Sequence, residues 1–275
     1  MHIVAFVTQK GGAGKSTLAS NLAVAAHLAG ERVFICDLDP LQSLVKWSRL
    51  RKAVDIPVEH IPAHKLELAL HSLGRDGVTV AVIDTPGAHS EGSLRAVRVA
   101  DFCIVPARPN ILDIWASEET VATIKAARKD FAFLLNQCPP AQQSGRVARG
   151  AQVLQELGAL LAPMISTRVD YQEAVLLGLG ACELRPRGAA AREMATLWAG
   201  VKTRLEERER QRLDDRVIAS NPVLASYREI FDQAARVGDL YTDFFRAMLP
   251  LAQQRPGRAA GDEEEEETVR PRRRS

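Results

Sequence analysis

Five short runs rich in β-branched and aromatic residues punctuate the first half of the chain. They are IVAFV (3–7), VFIC (33–36), VTVAVI (78–83), FCIV (102–105) and FAFLL (131–135). Few polar residues interrupt them, so each is predicted as a strand buried on both faces. Between the first two runs, apolar residues recur at 18, 22, 25 and 29, the spacing of one helix face, and Gly30 follows as a C-terminal stop. Such strands joined by helices make a parallel sheet with helices on both sides. The pattern predicts an α/β fold, a doubly wound, mostly parallel sheet, over residues 1 to about 205.

The periodicity then changes. Residues 203–216, TRLEERERQRLDDR, are almost all charged or polar and read as a solvated helix or a linker. Asn221-Pro222 marks a helix start, a cap followed by a first-turn proline. Apolar residues recur at 224, 227, 231, 234, 237, 240, 244 and 248, with Gly238 as a break. That spacing predicts a helix or helical pair with one apolar face. The end, DEEEEE (262–267) then RPRRR (270–274), is of low complexity and expected to be disordered. The organisation expected is an α/β domain over 1–205, a charged linker with an amphipathic helical extension over 206–251, and an acidic and basic tail over 252–275.

Composition narrows the classes. With 46% hydrophobic and 25% charged residues among 275, the chain is an ordinary soluble protein. No apolar stretch reaches 18 residues, so no membrane span is expected, and Ile3–Val7 leads straight into a glycine run rather than a signal peptide. Cys36, Cys103, Cys138 and Cys182 lie far apart with no C-x-x-C pair. That suits reduced cytosolic thiols and argues against zinc or an iron–sulfur cluster. The net charge of +2 says little; its distribution says more.

The glycine run KGGAGKST (10–17) follows a strand and opens a helix, the setting that makes a phosphate-binding loop credible. Backbone N–H groups of Gly11, Gly12 and Gly14 can wrap phosphates, and the helix start adds partial positive charge. Lys15 would bridge the β- and γ-phosphates and the Ser16 hydroxyl would hold Mg²⁺. Ala13 and Thr17 complete the run expected to contact ATP. A plain strand–helix glycine turn would need neither Lys15 nor Ser16. Gln9, however, stands where the usual G-x-x-x-x-G-K-[ST] has its first glycine. Acids also end two strands, in CDLDP (36–40) and VIDTPG (82–87). Acids at the carboxyl ends of parallel strands stand beside a bound ligand. A lone Asp there also serves as a helix or turn cap; three in register with a phosphate loop point to a magnesium and water site.

K-G-G-x-G-K-[ST] resembles the deviant Walker motif of the ParA/MinD ATPases, P-loop proteins whose pattern accounts for the missing glycine. The resemblance implies that Lys10 is the signature lysine, reaching across an ATP-bound sandwich homodimer to the partner's phosphates. It implies that Asp84 is the Walker B aspartate beside magnesium and that Asp39 positions the attacking water. Asp37 would support magnesium on the Ser16 side. Thr85, Pro86 and Gly87 would form the switch that senses the γ-phosphate. The family usually follows D-x-D-P with glutamine, whereas Leu41 stands here and Gln42 comes one later. ADFCIVPARPNILDIWA (100–116) resembles the family's P-x-R-P-S-x-L-D-x-x-A and would join the dimer face and nucleotide pocket. Asn136 matches an asparagine that reads the adenine edge, although Asn is also a common turn residue. PMISTRVDYQEAVLLGLGACEL (163–184) fits the end of the family domain, and the resemblance stops at about 205.

A site completed only in a dimer is expected to be slow alone and to be stimulated by a partner, a ParB-like or cargo-adaptor protein. The leading expectation is a cytoplasmic, nucleoid-associated bacterial ATPase that binds non-specific DNA as an ATP dimer and segregates or positions a plasmid, chromosome region or protein assembly. A local basic excess, Arg185, Arg187, Arg192, Lys202 and Arg204 with Arg168 nearby, is the candidate DNA surface. Arginines scattered for solubility are the other reading. A MinD-like membrane-associated regulator is the alternative, though 222–251 carries three basic against four acidic residues and lacks the basic face anionic lipid would attract. A metabolic enzyme or metal-cluster carrier is a third class, weakened by the absence of a cysteine pair.

Overall fold

A computed structural model describes residues 1–87, 90–139, 145–221 and 223; the expected amphipathic helix over 222–251, save Val223, and the tail lie outside the described residues. Among the described residues, six strands form one sheet: β1 (His2–Phe6), β2 (Val33–Asp37), β3 (Val58–His60), β4 (Val80–Asp84), β5 (Phe102–Ala107) and β6 (Asp130–Leu135). Their order is β3-β2-β4-β1-β5-β6 and every pairing is parallel. The helices are α1 (Lys15–Leu28), α2 (Ser43–Leu50), α3 (Leu66–Arg75), α4 (Glu91–Val99), α5 (Ile111–Ala126), α6 (Gly145–Leu157), α7 (Val169–Leu176), α8 (Ala181–Leu184) and α9 (Ala189–Ser220). This is the doubly wound α/β architecture expected from the sequence, with a long helix at its end.

Burial on both faces explains the near-continuous apolar strands. Val4, Phe6, Ile35, Val82, Ile104 and Leu134 enter one core with α1, α2 and the helices from α7 onward. The residues between them, Ala5, Cys36, Ile83, Val105 and Phe133, enter a second core with α3 to α6. Helix α1 is buried well beyond one face: Leu18 through Ala26 are all inside. The alanines there let the helix lie close to the sheet at little side-chain entropy cost. It ends as the sequence requires. Gly30, at φ 93°, donates to His27 O while Glu31 N donates to Ala26 O, the paired bonds of a glycine-terminated helix.

Two elements have physical causes beyond the apolar pattern. Strand β3 is an edge strand of three residues, VEH, with Glu59 and His60 exposed, so no apolar run announces it. It pairs only with β2, Ile35 facing Val58. The charged run 203–216 lies within α9, a single 32-residue helix. Its first half buries Met194, Leu197, Trp198, Val201 and Leu205 in the first core. By Cα proximity the chain divides into a unit over Met1–Arg208 and another over Glu209–Ser275. The site lies in the former.

Candidate functional site

The glycine run joins the central strand β1 to α1. Gly12 (φ 77°) and Gly14 (φ 91°) hold the left-handed conformation that side chains resist. Gly14 is also the N-cap of α1, where no side chain caps the helix and no acid enters the first turn. The leading N–H groups are therefore left to an anion. The loop is clamped from the end of β6: Asn136 Nδ2 donates to Ala13 O at 2.8 Å and Gln137 Nε2 donates to Gly12 O at 3.0 Å. It is touched from the other side by the turn after β4. A Cβ on Gly87 would lie 3.3 Å from Gly11 Cα and 3.6 Å from Lys15 Nζ.

Sheet register assembles the acids. Phe6 pairs with Asp84 and Asp84 pairs with Asp37, so the ends of β1, β4 and β2 stand on one rung. Asp84 and Asp37 are both fully buried. Asp37 is satisfied by its own chain: Leu44 N and Val45 N donate to Oδ2 and Asp39 N donates to Oδ1. It thereby ties down the start of α2. Burial raises its pKa, and the three backbone bonds oppose that rise. Among the described residues, Asp84 has no such donors, and neither carboxylate oxygen finds a hydrogen-bond partner. Burial first, then the repulsion of Asp37 and Asp39, pushes its pKa up to about 7, while Ser16 and Lys15 pull it down. The Ser16 hydroxyl faces this carboxyl without completing a bond of good geometry. Two orphaned buried oxygens beside a hydroxyl form an all-oxygen donor set that fits a hard divalent cation such as Mg²⁺.

Lys15 is only 7% exposed, and its ammonium reaches Thr8 O at 3.4 Å. Burial lowers its pKa, while Asp84 and Asp39 favour its charged form. Asp39 is half-buried in a turn, accepting from Leu41 N through Oδ1 and from Gln42 N through its carbonyl. Gln42 takes φ 52°, and Leu41 is 69% exposed. Thr85 donates its hydroxyl to Phe6 O, fixing the turn after β4 to β1.

Lys15, Ser16, Asp37, Asp39 and Asp84 thus come together, but Lys10 stands apart. Its side chain is 40% exposed, and its ammonium lies 4.0 Å from Asp113 Oδ1. Asp113 is buried and held by Arg108 Nε at 2.5 Å and Nη2 at 3.1 Å. Asn110 caps that helix start by accepting from Asp113 N. Arg108 and Asp113 belong to the segment 100–116 expected at the dimer face and nucleotide pocket, whereas Gln137 was not among the expected site residues. RPNILD offered a signal, a cap followed three residues later by an acid; Gln137 offered none.

The six basic residues of the candidate DNA surface divide. Arg168 binds Glu193, Arg185 binds Asp170 and Glu173, Lys202 binds Glu31, and Arg204 grips Asp130 with two bonds of 2.9 Å. Arg204 also stacks over Phe102. Among the described residues, Arg187 and Arg192 have no carboxylate partner; Arg192 donates to Arg187 O. No described helix is long and apolar enough to cross a membrane.

Residues 4–181 match the model of the CobQ/CobB/MinD/ParA nucleotide binding domain. The chain is 29% identical over 202 residues to the maintenance of carboxysome distribution protein A of Halothiobacillus neapolitanus, covering 68% of this chain and 90% of that protein. It is 33% identical over 198 residues to the protein of that name from Gloeobacter kilaueensis, covering 70% of this chain and 88% of the relative. The structure of the septum site-determining protein MinD with Mg-ADP from Pyrococcus horikoshii superposes with a TM-score of 0.62 at 20% identity, over 75% of this chain and 98% of that one. The chain belongs to the CobQ/CobB/MinD/ParA nucleotide-binding family.

Proposed function

We propose that this member of the family is a ParA-type ATPase in which two copies close on two magnesium-bound ATP molecules, and that hydrolysis, stimulated by a partner protein, reopens them. The observation that carries the reading is the orphaned Asp84 carboxylate, buried beside Ser16 and Lys15 at the mouth of an uncapped glycine loop. A buried carboxylate with no donor is costly unless a cation completes it.

Each residue has a role in that reading. The N–H groups of Gly11 to Thr17 bind the phosphates, and Lys15, drained of water, places its charge against them. Ser16 and Asp84, with Asp37 bracing the neighbouring strand end, would hold a magnesium ion, which would supply positive charge against the phosphates. Asp39 orients the attacking water. Thr85, Pro86 and Gly87, the last of them packed on the glycine loop, sense whether the γ-phosphate is present. Lys10 is half-exposed and outside its own site, a position that suits delivery to a second copy. Ile111, Leu112 and Trp115, on the helix turn that carries Asp113, are 46%, 63% and 58% exposed. That apolar patch beside Lys10 supports a closed homodimer.

The dimer's track is proposed to be non-specific DNA. With four of the six basic residues paired internally, the contact rests first on Arg187 and Arg192. The relatives named for carboxysome distribution favour a protein assembly as cargo, docked through an adaptor that also stimulates hydrolysis. The decisive experiment measures mass in solution by light scattering for the wild type and Asp39→Ala, each with MgATP or a non-hydrolysable analogue. The expected result is two copies per particle, persistent for Asp39→Ala in ATP. Single-copy particles at saturating nucleotide overturn the reading.

A further inference from the structure

Asn136 was expected to read the base, yet its surroundings tie it to the loop that holds the phosphates. It is the first residue past β6 and is 6% exposed. Its backbone N–H donates to Ala107 O, which anchors it to the end of β5. Its side-chain amide spans to the glycine run and donates to Ala13 O at 2.8 Å. Because the acceptor is a carbonyl, only the NH₂ arm can face it. One of that arm's two N–H groups is thereby held by the chain itself.

Two further observations point the same way. Gln137 repeats the contact one residue on, donating to Gly12 O at 3.0 Å from a backbone held at φ 55°. A left-handed glutamine is an uncommon conformation, retained where surrounding contacts enforce it. Gly14 has no room for a side chain: a Cβ there would sit 2.3 Å from Asn136 Nδ2, at a backbone φ of +91°. The glycine therefore serves the clamp as well as the turn.

We propose that Asn136 and Gln137 are positioning residues that hold the glycine loop in its phosphate-binding shape by gripping the carbonyls of Ala13 and Gly12, and that Asn136 acts on nucleotides whatever their base. The two amides turn the carbonyls of consecutive loop residues toward β6. The intervening N–H groups are thereby left for phosphate oxygens, as an anion nest requires. A loop prearranged in this way loses less conformational freedom on binding than one that must be ordered by its ligand. The proposal rests on the nucleotide-binding reading above and gives one part of it a cause.

The test is equilibrium binding of ATP, GTP and inorganic tripolyphosphate, the last having no base at all. Variants are Asn136→Ala, Asn136→Asp, which sets an oxygen against Ala13 O, Gln137→Ala, Gly14→Ala, and the double variant Gly14→Ala with Asn136→Ala. Asn136→Ala is expected to weaken all three ligands by a common factor of about ten, the worth of one buried hydrogen bond. The ATP-to-GTP preference stays at its wild-type value. Asn136→Asp is expected to weaken all three at least as much, and Gln137→Ala less. The double variant is expected to bind no worse than Gly14→Ala alone, because both changes break one contact. Thermal melting of each nucleotide-free variant checks that the fold is intact; Asn136→Asp, nearly the same shape, keeps the test alive should Asn136→Ala melt early. Loss confined to ATP, with GTP and tripolyphosphate unaffected, overturns the proposal and assigns Asn136 to the base. Additive losses in the double variant also overturn it. Lys15→Ala separates the two readings: unaltered binding there sinks the phosphate loop itself, whatever Asn136 does.

Discussion

Asp37 and Asp84 invite comparison because so much about them is the same. Each is the last residue of a fully buried strand, each is an aspartate with no exposed surface, and the two face each other across one rung of the sheet. Their fates differ. Three backbone N–H groups close on Asp37 and none closes on Asp84. The first carboxylate is finished by the chain and builds the fold. The second is left for something that is not protein. The basic residues repeat the division, with Arg168, Arg185, Lys202 and Arg204 closed by carboxylates and Arg187 and Arg192 left open. A charged side chain is informative about ligands to the extent that its own fold has not used it.

The sharpest way to break this comparison is to remove the charge of each aspartate in turn. Asp84→Asn is expected to cost at least about a hundredfold in magnesium-dependent ATP affinity, removing a charge from a low-dielectric cation site. It is also expected to leave the nucleotide-free protein as stable as the wild type or more so, since an uncompensated buried carboxyl is lost. Titration with and without magnesium, together with thermal melting, reads both effects. Next in size, Asp37→Ala is expected to lower folding stability by about 2 kcal/mol through loss of the α2 cap and its neighbouring bond. Urea unfolding measures that; equal stability of Asp37→Ala and Asp84→Asn would erase the distinction.

The same contrast predicts a pH dependence. The Asp84 pKa is raised to about 7, above its unfolded value of about 4. Between those values the folded state retains a proton that the unfolded chain gives up. Stability of the nucleotide-free protein is therefore expected to fall as pH rises from about 4 to about 7 and to flatten above that. Asp55 and Asp130, lowered by their arginines, act below that window and with the opposite sign. Asp37, also raised by burial, acts in the same sense, so Asp84→Asn should reduce the slope in melting temperature against pH without abolishing it. The smallest expected effect belongs to the open arginines. Changing Arg187 and Arg192 together to alanine is expected to reduce the slope of log affinity for DNA against log salt by about 2. The same measurement on Lys202→Ala should show no change in slope.

Much of the architecture was legible because its causes are local. Runs such as VFIC and FAFLL state burial on both faces, and Gly30 states where α1 ends. β3 was illegible because Glu59 and His60 face solvent and only pairing with β2 makes VEH a strand. The phosphate loop could be read because Gly12 and Gly14 need conformations that other residues resist. The state of its neighbours could not. Nothing in RPNILD or CDLDP says that Arg108 will close on Asp113 or that Leu44 and Val45 will close on Asp37.

The residue order alone determined that this chain would wind a parallel sheet around a phosphate-binding glycine loop, because strand burial, helix stops and left-handed glycines are properties of short stretches. Tertiary structure decided which charges remain available. Asp84 lies 47 positions from Asp37, and Asn136 lies 123 from the Ala13 carbonyl it grips. Only the folded sheet brings such groups within hydrogen-bonding distance, and only that distance settles whether a polar group serves the fold or waits for a ligand.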